Sequence, residues 1–376
     1  MRTRARHDMR IGYALGLAAL LLCGPMRAKE APTLSGGRIA RIESMIASFM
    51  ATNHVPGMSV AIVIDGKPAW SRGFGFADVE NKVATTSATA YRSASIGKTM
   101  TATATMRLVE AGKLDLDADI RRDCPAFPAK PWTITVRQLL SHQSGIRHYG
   151  GPRDKEEQGS TVHYAEVVDA MAPFKNDPLL FQPGTQYGYS TYGYDVLGCV
   201  LQGAAGEPFL GVMRTEVWQP SGMHATRDDD PAAIIEHRAA GYVLVDGALR
   251  NAPHVDMSNR MPAGGYITTV DDLARFEAAL MDGMLVKPGT LQRMLKPSVL
   301  ADGTRVPYGL GWGIELEPWH EDTWAFHGGS SPGASGMVAI MPKHRFGVVV
   351  LSNLEDLPER NALVEKIARI ALGFDG

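Results

Sequence analysis

The chain has 376 residues, of which 45% are hydrophobic and 21% charged, and its 38 Lys and Arg against 40 Asp and Glu leave a formal net charge of −2. That balance excludes a disordered or collagen-like chain and supplies enough apolar side chains for a large buried core. It offers no basic excess to neutralise a phosphate backbone, so no nucleic acid is expected as a partner.

The first segment sets Arg2, Arg4, Arg6 and Arg10 around and before an apolar run from Ile11 to Leu22, which Gly24 and Pro25 end. This is the pattern of an export signal, expected over residues 1–28, with a mature protein that is periplasmic or secreted. The run is shorter than the roughly 20 residues a spanning helix needs, so membrane contact is expected only through this segment where it stays uncleaved. Cys124 and Cys199 lie beyond it and are read as unpaired.

Residues 38–50 place Ile39, Ile42, Met45, Ile46 and Phe49 at helical spacing, which predicts an amphipathic helix. Two strand-like runs follow, Met58 to Ile64 and Ala69 to Phe76, joined by Asp65 and Gly66 as a hairpin. Ser95 to Ala111 reads as a helix stopped by Gly112. From about 115 to 260, short helices such as Thr135 to His142 and Tyr192 to Ala205 alternate with Pro- and Gly-rich loops. Thr269, with Asp272 three residues on, caps a helix to about Leu280. Tyr308 to Leu316, Thr323 to Phe326, Ser335 to Met341 and Phe346 to Leu351 then read as strands, before a last helix from about Leu357 to Ala371. Strands at both chain ends predict an α+β fold: one antiparallel sheet flanked by N- and C-terminal helices, with a helical lobe inserted. The expected boundaries are 29–92 and 262–376 for the sheet lobe and 93–261 for the helical lobe.

Metal ligation has no support, because no His pair shows H-x-H or H-E-x-x-H spacing and the cysteines are scattered, and no cofactor motif is present. Serine chemistry remains. Ser95 and Lys98, in S-I-G-K, form the chain's one Ser-x-x-Lys. At the start of a helix, residues three apart share a face, so the ammonium can reach the hydroxyl. Burial and the positive helix end lower the Lys pKa and free it to take a proton. The Ser95 N–H is an unsatisfied helix donor available to an oxyanion. A second group is Tyr189, Ser190 and Thr191 in a tyrosine-rich loop; a third is His327, Gly328, Gly329 and Ser330, where paired glycines let a backbone or substrate approach closely. A rival pattern, G-S-S-P-G at 329–333, matches the nucleophile elbow G-x-S-x-G, but a strand-like run rather than a helix follows it.

Taken in order, Ser-x-x-Lys, Tyr-Ser-Thr and His-Gly-Gly resemble the serine beta-lactamase and penicillin-binding-protein superfamily, specifically its class C-like serine hydrolases. The likeness spans about residues 38–372. It is supported by L-L-S-H-Q-S-G-I at 139–146, F-Q-P-G at 181–184, A-G-G-Y-I-T-T-V-D-D-L at 263–273 and V-V-V-L-S-N at 348–353. Arg147, His148 and Tyr149, F-K-N-D-P-L at 174–179 and Y-S-T look similar to the mitochondrial beta-lactamase-like branch. The resemblance implies a beta-lactamase/transpeptidase-like fold and two-step acyl transfer on a small-molecule or peptide amide or ester. In it Ser95 is the nucleophile, Lys98 and Tyr189 share acid and base work, and the N–H groups of Ser95 and Ser330 form an oxyanion hole. Thr191, His327, Gly328 and Gly329 would contact substrate. Thr191 stands in place of the usual Asn, and His327 in place of a Lys that faces a substrate carboxylate. With an ordinary pKa near 6.5, His327 is expected to read that charge only below about pH 7. The alternative on the same fold is a catalytically weak module that senses peptidoglycan or binds a protein.

Overall fold

A computed structural model describes residues 34–150, 153–316 and 321–374; the expected export signal lies outside them. Helix α1 (Gly36–Thr52) starts at Ser35, whose hydroxyl accepts from the Arg38 N–H. Strands β1 (Gly57–Ile64) and β2 (Lys67–Asp78) are joined at Asp65 and Gly66, with φ of 57° and 71°. Both turn residues are left-handed, as a two-residue hairpin requires. The short β3 (Val83–Ala84) pairs with the end of β2. Next come β4 (Tyr91–Arg92), a 3-10 turn over Ala94–Ile96 and helix α2 (Gly97–Glu110), which ends before Gly112 at φ 70°. Helix α3 (Thr191–Ala205) is capped by the Ser190 hydroxyl, and two-residue strand β5 (Arg227–Asp228) follows. Then come a helical turn over Met261–Gly264, β6 (Tyr266–Thr268) and α4 (Val270–Met281), capped by Thr269 as expected. The chain closes with β7 (Gly313–Ile314), β8 (Ala325–Ser331), β9 (Ala334–Met341), β10 (Phe346–Ser352) and α5 (Arg360–Leu372).

Seven of these strands form one antiparallel sheet in the order β7-β8-β9-β10-β1-β2-β3, so its centre joins the two ends of the chain. Side-chain alternation splits the core. Met58, Val60, Ile62, Met337, Val348 and Val350 face one side, with Ile42, Ile46 and Ile367 of the terminal helices. Ala61, Val63, Val338, Ile340, Val349 and Leu351 face the other, with α2, α3 and α4. A second small sheet, β4-β6-β5, ties the segment before Ser95 to the segment after Gly264, and the Ser93 N–H donates to the Tyr266 carbonyl at 2.8 Å. Helix α2 is buried along nearly its whole length despite its threonines. Their hydroxyls are satisfied locally: Thr99, Thr103 and Thr105 donate to carbonyls one turn back, and Thr101 donates to Pro262 O at 2.7 Å.

Two expectations are corrected. Tyr308 to Leu316 yields only the two residues of β7, because Gly309 and Gly311 interrupt the run and Gly311 takes φ 85°. Cys124 and Cys199 are disulfide-bonded rather than free, with Cα atoms 5.4 Å apart across 75 residues of sequence. The chain at Asp123 lies so close to α3 that a Cβ on Gly203 would collide with the Asp123 carbonyl. Two isolated cysteines carry no spacing signal, and only this tertiary approach pairs them.

Candidate active site

Ser95 sits in the 3-10 turn that feeds α2, just after Ala94, a non-glycine residue at φ 44°. A conformation this sparsely populated persists only where the surroundings enforce it. Here they do: a Cβ on Gly264, itself at φ 143°, would collide with the Ala94 carbonyl, and one on Gly329 would come within 2.9 Å of the Ser95 amide nitrogen. The Met261–Gly264 turn and strand β8 thus clamp Ser95 from two directions.

Lys98, one turn along α2 and fully buried, donates from Nζ to Ser95 Oγ at 3.0 Å, Thr191 Oγ1 at 3.2 Å and Ala263 O at 3.4 Å. Burial lowers its pKa to about 8; Tyr149 and Asp195 work against that shift and Arg260 with it. The ammonium lies 5.0 Å from the Tyr189 ring centre, and Ser95 is near enough to the Tyr189 hydroxyl to temper the rise in its pKa. Burial pushes the Tyr189 pKa well above 10, so the phenol keeps its proton. Ser95, Lys98, Tyr189 and Thr191 are therefore brought together, from α2, the loop before α3 and the first residue of α3.

Two histidines hold that loop. His142 Nδ1 accepts from the Ser190 N–H, and His148 Nδ1 from the Thr191 N–H, each at 3.1 Å. The His142 ring packs 4.2 Å from Tyr189, and burial drives its pKa well below 6.5, as an Nδ1 that accepts from an amide requires. Ser190 Oγ donates to Arg147 O and accepts from the Gly193 N–H.

On β8, the Ser330 hydroxyl is tied to Asp356, which leaves its N–H as the group a reacting carbonyl could use. Gly329 lies against the Ser95 amide, while its carbonyl accepts from Arg360 Nη1 at 2.8 Å. Gly328 faces Arg360, since a Cβ there would come within 2.9 Å of that guanidinium. His327 departs from the expectation. It is buried, its Nε2 lies 2.8 Å from the Tyr308 hydroxyl and its Nδ1 2.7 Å from Gly328 O. The carbonyl can only accept, so Nδ1 carries the proton and Nε2 accepts from Tyr308. Burial lowers the His327 pKa to about 3, so it is neutral throughout the range where it was expected to titrate. Ser331, the elbow rival, ends β8 with its hydroxyl buried and unpartnered, and no histidine hydrogen-bonds to it.

Sequence reasoning missed Arg260 and Asp195, both buried near Lys98, as well as the roles of His142 and Tyr308. Arg260 stands three residues before the A-G-G-Y segment, and its being the one charged residue from Met257 to Tyr266 is the signal that could have exposed it.

Residues 42–372 match the family model described as Beta-lactamase. The mouse protein "Serine beta-lactamase-like protein LACTB, mitochondrial" is 30% identical over 428 residues, covering 85% of this chain and 77% of that one. The octameric penicillin-binding protein homologue from Pyrococcus abyssi superposes with a TM-score of 0.78 at 25% identity, covering 89% of this chain and 77% of that one. The D-amino acid amidase from Ochrobactrum anthropi SV3, complexed with L-phenylalanine amide, shares the fold at a TM-score of 0.76 and 24% identity, covering 91% of this chain and 100% of that one.

Proposed function

The chain belongs to the Beta-lactamase family, and from that premise we propose that it is a serine hydrolase that forms an acyl-enzyme on an amide or ester substrate. The observation that carries the reading is the 3.0 Å contact from a fully buried Lys98, its pKa lowered to about 8, to Ser95 Oγ. A lysine in that state is a usable base near neutrality, which an ordinary surface lysine is not. The phenol of Tyr189 holds its proton too firmly to be the resting base, so the acid and base work divides between them.

In the proposed cycle, neutral Lys98 takes the Ser95 proton as Oγ bonds to the carbonyl carbon. The oxyanion rests on the N–H groups of Ser95 and Ser330. Collapse breaks the bond to the leaving group, which takes a proton from the Tyr189 hydroxyl; Lys98 returns its proton to Tyr189. Water then attacks the acyl-enzyme and gives its proton to Lys98, and as the acyl bond breaks Lys98 passes that proton to Ser95 Oγ, which restores the free enzyme. The natural substrate is a small molecule or peptide. Export belongs to the same proposal, supported by the arginine-flanked apolar run of residues 1–28 and by the Cys124–Cys199 disulfide. Intact mass of the exported protein checks it, and a mature form that keeps Met1 counts against cleavage.

A fluorophosphonate probe tests the hydrolase reading. Covalent labelling at Ser95 is expected in the wild type and in Ser331→Ala, and none in Ser95→Ala. Labelling that survives Ser95→Ala, or a wild type that is never labelled, defeats it.

A further inference from the structure

The cleft beside the nucleophile is lined by Ser95, Lys98, Tyr149, Thr191, Arg260 and Ser330, among others. Arg260 is only 5% exposed. Its Nε donates to Asn259 Oδ1 at 2.8 Å and its Nη2 to the carbonyls of Glu157 and Gln158 at 2.9 and 2.6 Å, while the guanidinium lies 5.2 Å over the Tyr149 ring. All of these partners are neutral. Nη1 donates to nothing among the described residues, and no described carboxylate pairs with the guanidinium. The other fixed cation of the cleft, Lys98, is a like charge that feels Arg260. Asp195 senses both, but its two oxygens have no hydrogen-bond partner and burial holds it toward the neutral acid. The cleft thus contains a nearly buried guanidinium with one donor that no described residue takes up and no counter-ion among the described residues, an arrangement that an anion in the cleft would complete.

We propose that Arg260 binds a carboxylate on the acyl portion of the substrate, so that the preferred substrates are amides or esters of acidic acyl groups. The inference rests on the acyl-transfer reading above. The side of the substrate follows from geometry: Tyr189, His327 and Tyr308 do not line this pocket. If Tyr189 protonates the leaving group, the leaving group lies toward those residues and the acyl part toward Arg260. A planar guanidinium already stacked on an aromatic ring and fixed by three hydrogen bonds suits directional recognition of a carboxylate better than a lysine does.

The test uses pairs that differ in charge and hardly in shape: N-acetyl-glutamyl against N-acetyl-glutaminyl 4-nitroanilide, and the aspartyl and asparaginyl counterparts. For the wild type, kcat/KM is expected to be about tenfold or more higher on at least one acidic member than on its amide. Where turnover is slow, the same ratio is read from the concentrations that halve fluorophosphonate labelling of Ser95, since an uncleaved anilide still competes. Arg260→Gln should bring the ratio to about one and Arg260→Lys should keep part of it. A wild type that is labelled but shows no acidic preference overturns this inference and leaves the hydrolase reading standing. An acidic preference that persists in Arg260→Gln assigns the carboxylate elsewhere and also overturns it. A wild type that is neither labelled nor active removes the hydrolase reading, and this inference with it. If Arg260→Gln does not fold, the wild-type ratio and Arg260→Lys decide.

Discussion

At the scale of single residues, the site is a set of protonation states fixed by burial. Lys98 must be neutral to accept the Ser95 proton, and with a pKa of about 8 roughly a tenth of it is neutral at pH 7. On a neutral ester, kcat/KM should therefore climb with pH and level off above a midpoint near pH 8; a rise centred near pH 6.5 would point to histidine instead. His327, held to about 3, does not change charge above pH 6. The ratio of KM values for a carboxylate-bearing and a matched neutral substrate is accordingly expected to stay flat between about pH 6 and 7, below the range in which Lys98 loses its charge. A ratio that worsens as pH rises would restore the charge-reading role that the sequence suggested for this histidine. Ser95→Ala removes one hydroxyl with a hydrogen bond to Lys98, so it should cost only about 1 kcal/mol of stability by denaturant titration while abolishing turnover.

Between elements, the approach of β8 to the start of α2 would set what the oxyanion of the proposed cycle can reach. A methyl on Gly329 would press on the Ser95 amide nitrogen, so Gly329→Ala is expected to lower kcat about 10²-fold or more with the fold retained, as loss of one oxyanion donor does elsewhere. The disulfide between the segment before Phe127 and α3 closes a 75-residue stretch; reduction should cost about 2–4 kcal/mol, seen as a lower unfolding midpoint with reductant present. How far the sequence reveals these elements depends on where their signal lies. The β1–β2 hairpin and α4 are legible because Asp65-Gly66 and the Thr269 cap are local devices, and the Ser95-Lys98 contact follows from helical spacing alone. Strand β8 is half hidden: the expected run stops at Phe326, yet pairing with β9 carries it to Ser331 through a glycine pair that has no strand preference of its own. Arg260, Asp195 and the tautomers of His142 and His327 are set by what other segments pack around them, which no spacing encodes.

Across the whole molecule, buried ionisable groups shape the pH range in which the fold holds. His142 and His327 have native pKa values below 6.5, so the unfolded chain binds more protons below that value and stability is lost as pH falls through the window from about 6.5 down. Glu277, under the sheet with neither carboxyl oxygen hydrogen-bonded, is shifted the other way by burial, well above 4.5. Its penalty grows as pH rises above the ordinary value, by roughly 1.4 kcal/mol for each pH unit until the native pKa is reached. Glu277→Gln removes the ionisable carboxyl at nearly constant shape and should raise the melting temperature more at pH 8 than at pH 5; an equal shift at both would show that the carboxyl is not held neutral. The pairing of β1 with β10 bears on synthesis. Gly57 and Ser352, hydrogen-bonded across that seam, are 295 residues apart, which at ordinary elongation rates separates their emergence from the ribosome by roughly 15 to 60 s. For that interval the apolar faces of the first hairpin have no central neighbour, and the sheet closes only as the last fifty or so residues arrive.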